Sequence, residues 1–239
     1  MGTNIELMDR VGDIVTNYPN TAEVFKQYRI DFCCGGNKSL QQVIEDKRIE
    51  QSELLLASLE RAAVSRKPDE TNWTGRSAAE LIEYIVTYHH RYLQSSLPQL
   101  SQYVNKVARV HGPHHPELLQ VQEWFQALRL DMELHMEKEE NEAFPAVIAY
   151  ELSGTEHSRQ QLLQILEELE NDHRETGNLL QKIRIATSDF TVPEDACTTF
   201  KVTYLKLEEL EADMFQHIHL ENNILFARAA LGKPDEFAG

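Results

Sequence analysis

The sequence predicts an all-α protein: a small N-terminal helical domain followed by an up-down four-helix bundle. Three observations predict it. A cadence H-x3-E-x4-F occurs twice, at His135, Glu139 and Phe144 and again, 82 residues later, at His217, Glu221 and Phe226. His89 precedes His135 by 46 residues and His173 precedes His217 by 44. That is about the span of an antiparallel helical hairpin at ~1.5 Å rise per residue. Apolar residues such as Leu162, Ile165, Leu166, Leu169 and Leu179, Leu180, Ile183 keep helical spacing, and no segment alternates as a strand would.

Residues 1–64 read as short, often broken helices. Tyr18-Pro19-Asn20-Thr21 is a turn in which Asn20 or Thr21 can cap the next helix. Cys33-Cys34-Gly35-Gly36-Asn37 is a loop, and Ser39–Ile44 and Ser52–Val64 are helical again. Residues 65–76 turn polar around Pro68 and form a linker, so the bundle is expected over 77–232. Ser77 and Glu80 fit a capping box that opens its first helix, which runs toward Val110 with a kink at Pro98. His111–Pro116 breaks it. The second helix runs from about Glu117 to Ala149 with a kink at Pro145, and Ser153-Gly154 ends that stretch. The third covers about Glu156 to Ala186. Pro193 is expected in the first turn of the fourth, where its missing N–H costs least, and Gly232 closes it.

Composition narrows the partners. The chain has 239 residues, with 39 acidic against 23 basic and a formal net charge of -16. Nucleic-acid backbones and anionic membranes repel such a surface. No apolar run approaches the ~20 residues of a membrane span, and the N-terminus lacks a basic stretch leading into an apolar one. Three cysteines, two of them adjacent, do not make a disulfide framework. A cytoplasmic protein in a reducing compartment is expected.

The chemistry lies in the cadence. Positions four apart stack on one helix face, so each copy sets an imidazole on a carboxylate, with Asp131 or Asp213 one turn behind. Adding His89 and His173 lets four helices each deliver an imidazole to one level of a bundle. A zinc protease would need H-E-x-x-H, which is absent, and a structural zinc site would need spaced cysteines. A ferritin-like site would need E-x-x-H on two helices, but it occurs on one predicted bundle helix, at Glu170–His173. A histidine-rich di-iron centre fits best. His90 is left outside the set because it points about 100° off the His89 face. His219, about 200° off the His217 face, is left out too.

The strings YRIDFCCGG, YHHRYL, HMEKEENEAFP, NDHRETG, PEDACTTF and HIHLENNILF together resemble the bacterial repair of iron centres family, iron–sulfur cluster repair di-iron proteins with a hemerythrin-like domain. The resemblance spans nearly the whole chain. It implies metal ligands at His89, His135, Glu139, His173, His217 and Glu221, with both glutamates bridging two Fe ions that share an oxo or hydroxo bridge. Oxygen carriers of the hemerythrin type close one iron with a fifth histidine. No fifth is evident here, so both irons are expected to stay accessible. Asp131, Asp172 and Asp213 are expected to orient imidazoles or guide ions.

The resemblance implies repair of iron–sulfur clusters damaged by oxidative or nitrosative stress, by supplying iron to damaged iron–sulfur proteins. Two alternatives stay open: nitric oxide reduction to nitrous oxide at the diferrous site, and O2 or NO sensing. A homodimer is also open. Cys33 and Cys34 are candidate redox or iron-transfer thiols, with Arg29 and Lys38 near in sequence to favour thiolate. Cys197 reads as a buried small hydrophobe. His111, His114 and His115 read as a metal cluster or, more simply, a solvated turn.

Overall fold

A computed structural model describes residues 5–65 and 73–231. The Pro68 linker and the Gly232 helix stop lie outside the described residues. Among those described the protein is helical throughout, with no strand beyond one isolated bridge between Arg10 and Ser39. They form two compact units. One takes the chain up to Leu81 together with the stretch from Phe215, and the other is Ile82–Met214.

In the first unit, α1 (Val11–Asn17), α2 (Thr21–Gln27), α3 (Leu40–Lys47) and α4 (Ser52–Val64) surround Val11, Ile14, Phe25, Ile30, Phe32, Leu40, Leu55 and Leu59, with Phe215 packed against that core. Ser39 and Gln42 make a full capping box at α3. At α2 the expected cap is absent: the Asn20 side chain bonds the Ser65 carbonyl, and the Thr21 hydroxyl donates back to Tyr18 at 2.6 Å. Ser77 and Glu80 cap α5 (Ala78–Tyr84) reciprocally, at 3.0 and 3.2 Å.

The second unit holds the body of the bundle. It is built from α6 (Arg91–His111), α7 (Glu117–Lys138), α8 (Phe144–Ser153), α9 (Glu156–Ala186) and α10 (Thr198–His219) as far as Met214. Leu93, Leu97, Leu100, Val104, Val121, Phe125, Leu128, Leu162, Leu166, Leu169, Leu180, Phe200 and Tyr204 are buried along it. Their spacing is what one apolar stripe per helix provides.

Three π-helical turns interrupt the regular helices: Ile85–His90, Glu139–Ala143 and Leu220–Phe226. Each falls on a stretch carrying candidate ligands, as π turns often do at functional sites. The second ends just before Pro145, which sits in the first turn of α8, where its missing N–H costs least.

The fourth bundle helix begins at Thr198, so Pro193 lies in the preceding loop and not in its first turn. The reason is the end of α9. Ser188, Asp189 and Phe190 all take left-handed backbone, with φ of 49°, 63° and 56°. Phe190 is held there under the Arg184 guanidinium, 5.0 Å above its ring, while Arg184 donates to Glu211 at 2.7 Å. The loop is then tied down by side chains: His115 contacts Asp195 at 3.1 Å, and His111 contacts Cys197 Sγ at 3.2 Å.

Candidate metal centre and thiol loop

In the second unit, donors converge around Glu139. α7 delivers His135 on its last turn, Glu139 opens the second π turn, and α9 delivers His173. The Nε2 atoms of His135 and His173 face each other at 2.9 Å. Glu139 Oε1 lies 3.2 Å from the first and 3.9 Å from the second. The side chains of Glu139 and His173 are fully buried. Two imidazole nitrogens and a carboxylate oxygen gathered inside a protein repel one another unless a proton or cation sits among them.

Glu139 Oε2 turns the other way, 3.3 Å from His90 Nε2. At a regular ~100° per residue His90 would point off the His89 face. The Ile85–His90 π turn widens the helix and fans its side chains differently, so His89 and His90 are both buried. His89 Nδ1 meets Asp213 Oδ1 at 2.9 Å, and its ring lies against Tyr84, 5.6 Å between centroids. His89 is not among the donors within 4.8 Å of one another around Glu139.

Three imidazoles share one backing arrangement. Nδ1 faces a carboxylate in His89–Asp213 at 2.9 Å, His90–Glu140 at 2.7 Å and His135–Asp172 at 3.5 Å. Such a contact fixes the tautomer and leaves Nε2 as the donor, which is how metal-binding histidines are usually held. The His135 contact also holds Asp172 below the usual carboxylate range. Asp131 is exposed. With Asp172, Lys138 and Glu175 it lines a surface pocket over His135 instead of backing a ring.

The second copy of the cadence lies in the first unit. His217 Nε2 is 2.8 Å from Glu221 Oε1, and both side chains are fully buried. His219 and Asn223 project from the other side of this turn onto the Cys33 loop. Asn223 Nδ2 shares its hydrogens among the carbonyls of Phe32 and Cys33, both at 3.3 Å, and His219 Nδ1 at 3.2 Å. The His219 ring meets Phe32 edge-on at 5.6 Å, and burial lowers its pKa to about 4. Gly36 is required here. A Cβ would lie 2.6 Å from Asn223 Oδ1 and 2.7 Å from the Phe32 carbonyl.

Asp31 organises the thiols. Its carboxylate accepts from the backbone N–H groups of Cys33, Cys34 and Gly35 at 2.9, 3.0 and 3.0 Å, and from Cys33 Sγ at 3.1 Å. The two sulfurs are 3.8 Å apart and unbonded. Cys33 is buried and Cys34 half-buried. Burial, then the neighbouring Cys34 and Asp31, push the Cys33 thiol well above its ordinary value. The expected activation by nearby cations is not what surrounds it, and Lys38 is paired with Asp46 at 2.8 Å. Sequence reasoning misses Asp31, Glu140 and Asn223 and leaves His90 and His219 out. Two signals were there to use: the Asp two residues before the Cys pair, and the His doublet.

The remaining candidates resolve differently. His111 and His115 lie 5.2 and 5.3 Å from the Phe200 ring, and His115 also contacts Glu117, so two of the three imidazoles pack at the turn while His114 is exposed. It is not one of the metal-capable groups found among the described residues. Cys197 is exposed, against expectation, because its loop precedes the helix start.

Two family models match. Residues 81–229 match the hemerythrin HHE cation binding domain, and residues 7–63 match a domain of unknown function, DUF542. Relatives include the iron-sulfur cluster repair protein ScdA of Staphylococcus epidermidis, 37% identical over 93% of this chain and 98% of the relative. ScdA of Staphylococcus haemolyticus is 37% identical over 90% and 95%. The iron-sulfur cluster repair protein YtfE of Escherichia coli is 31% identical over 93% and 97%. No helix among the described residues is long and apolar enough to cross a membrane.

Proposed function

We propose a function from one premise, that this chain belongs to the iron–sulfur cluster repair family with a hemerythrin HHE cation binding domain. It repairs iron–sulfur clusters damaged by oxidative or nitrosative stress, and it does so by supplying iron. Two Fe ions would be held by His89, His135, Glu139, His173, His217 and Glu221, of which His89, backed by Asp213, stands outside the donors gathered around Glu139. The observation that most supports this is Glu139, a buried carboxylate whose two oxygens face different imidazoles at 3.2 and 3.3 Å. The donor set, nitrogen plus carboxylate with no thiolate, suits iron. Bound ferrous iron would supply exchangeable metal and reducing electrons. The protein's own part is to bury the donors, fix their tautomers through Asp213 and Asp172, and present the Asp31-bound thiols.

The test uses one anaerobically loaded diferrous sample. Iron delivered to an apo cluster protein, with the client's activity restored, is the expected result. Stoichiometric nitrous oxide on NO addition, without iron transfer, would replace this reading with nitric oxide reduction. Reversible O2 or NO binding without either would point to sensing.

A further inference from the structure

We propose that His90 is an additional nitrogen donor to the metal held at Glu139, oriented for that task by Glu140. This rests on the di-iron reading and deepens it. His90 and Glu139 are fully buried, and the Nε2 and Oε2 atoms face each other at 3.3 Å. On the far side of the ring, Glu140 Oε1 stands 2.7 Å from Nδ1. A carboxylate there accepts a hydrogen bond from Nδ1–H and so leaves the Nε2 lone pair aimed at Glu139. The ring is also stacked on Phe144, with centroids 5.7 Å apart and planes 24° apart, which fixes its orientation.

The arrangement repeats that of His135, whose Nδ1 faces Asp172 and whose Nε2 faces the other oxygen of the same glutamate. Glu139 thus has imidazole nitrogen at both oxygens, an arrangement that would suit a carboxylate shared between two cations. The π turn at Ile85–His90 supplies the cause: it brings two consecutive histidines into the interior, where a regular helix would bring one. Glu140 is partly exposed, so the backing group sits at the surface while the donor is dry. Glu140 borders an apolar surface pocket lined also by Val86, Phe144 and Ile148.

The consequence concerns iron release. Were His90 to donate beside the four histidines of that reading, one iron would be more fully ligated than four histidines would leave it; His89 would have to move in, since it is not among the donors within 4.8 Å of one another around Glu139. The two irons then differ in lability, and the iron away from His90 is the one given up first.

Fe K-edge absorption on the wild-type diferrous protein should count five imidazoles per iron pair, and release to a ferrous chelator should be biphasic. His90→Ala should lose one imidazole and speed the slow phase about tenfold or more, the usual scale for a weakened metal ligand set. His90→Asn keeps a hydrogen bond to Glu140 and guards against simple unfolding; it should lose the imidazole and show the same acceleration. Glu140→Gln should retain the imidazole count yet shift the Mössbauer quadrupole splitting of one iron. Four imidazoles in the wild type, or His90 variants with unchanged count and release, would overturn the assignment while leaving the di-iron reading intact. A wild-type protein that binds no iron would overturn both.

Discussion

The two copies of H-x3-E-x4-F present the same inner face and opposite backs. Each stacks a buried imidazole on a buried glutamate, His135 on Glu139 at 3.2 Å and His217 on Glu221 at 2.8 Å. Each glutamate begins or nearly begins a π turn. Each copy also carries an asparagine six residues after its histidine, Asn141 and Asn223. Asn141 is exposed and its amide donates to its own helix, at the Glu137 carbonyl. Asn223 is half-buried and its amide reaches 190 residues back to Cys33. The back of the second copy therefore anchors the thiol loop, whereas the matching asparagine of the first bonds its own helix. A ligand pattern constrains only the face it uses, and the other face is free to be given a second task.

The sharpest break in that comparison is at the shared face. His135→Ala and Glu221→Ala should each cut iron from two to below one per chain while far-UV circular dichroism stays near wild type, because the apolar stripes hold the helices without metal. Normal iron content in either variant would show that the two inner faces are not equivalent. Global unfolding of both would make them structural.

The next test separates the faces by chemistry. Replacing both Cys33 and Cys34 by Ser should leave two irons and the iron-oxo absorption unchanged but remove most reactivation of a damaged cluster enzyme. Unchanged reactivation would reduce the loop to a turn. Lost iron would put the thiols among the ligands.

The asparagines provide a matched pair. Asn223→Ala leaves buried carbonyls and His219 without their donor, which costs about 1–3 kcal/mol. Asn141→Ala, at an exposed site, should stay within about 0.5 kcal/mol. Denaturant midpoints measure both, and equal effects would show that the two backs are not different.

The smallest effect is in thiol reactivity. Cys34 should be alkylated before Cys33 at neutral pH, as read by peptide mass spectrometry. Cys33 has its pKa raised by burial, so its thiolate forms, and its labelling rises, only as the pH climbs past the ordinary thiol range. By linkage the folded state holds that proton more tightly than the unfolded one. The associated stability is present below the unfolded value near 9.0 and is lost as pH rises toward the folded one. Asn223→Ala should erase the order of labelling; Asn141→Ala should not.

Much of this was legible in the residues. The helix order, the Ser77–Glu80 cap, the loop at Cys33–Asn37 and the pairing of His135 with Glu139 and of His217 with Glu221 all follow from contacts within about four residues, where sequence spacing is spatial spacing. Expectations failed where a distant partner intervened. Pro193 does not start a helix, because Arg184 and Phe190 hold left-handed backbone before it. Asn20 does not cap, because the Ser65 carbonyl takes its amide. His90 is buried beside Glu139, because a π turn changes the angle per residue on which its exclusion rested. The sequence alone determined that two imidazole–carboxylate pairs exist and that helices carry them, since both are periodic and local. Only the tertiary structure decided which ring nitrogens face which oxygens and what grips the thiol loop. Those between elements join residues 37 to 191 positions apart, and no spacing along the chain encodes them.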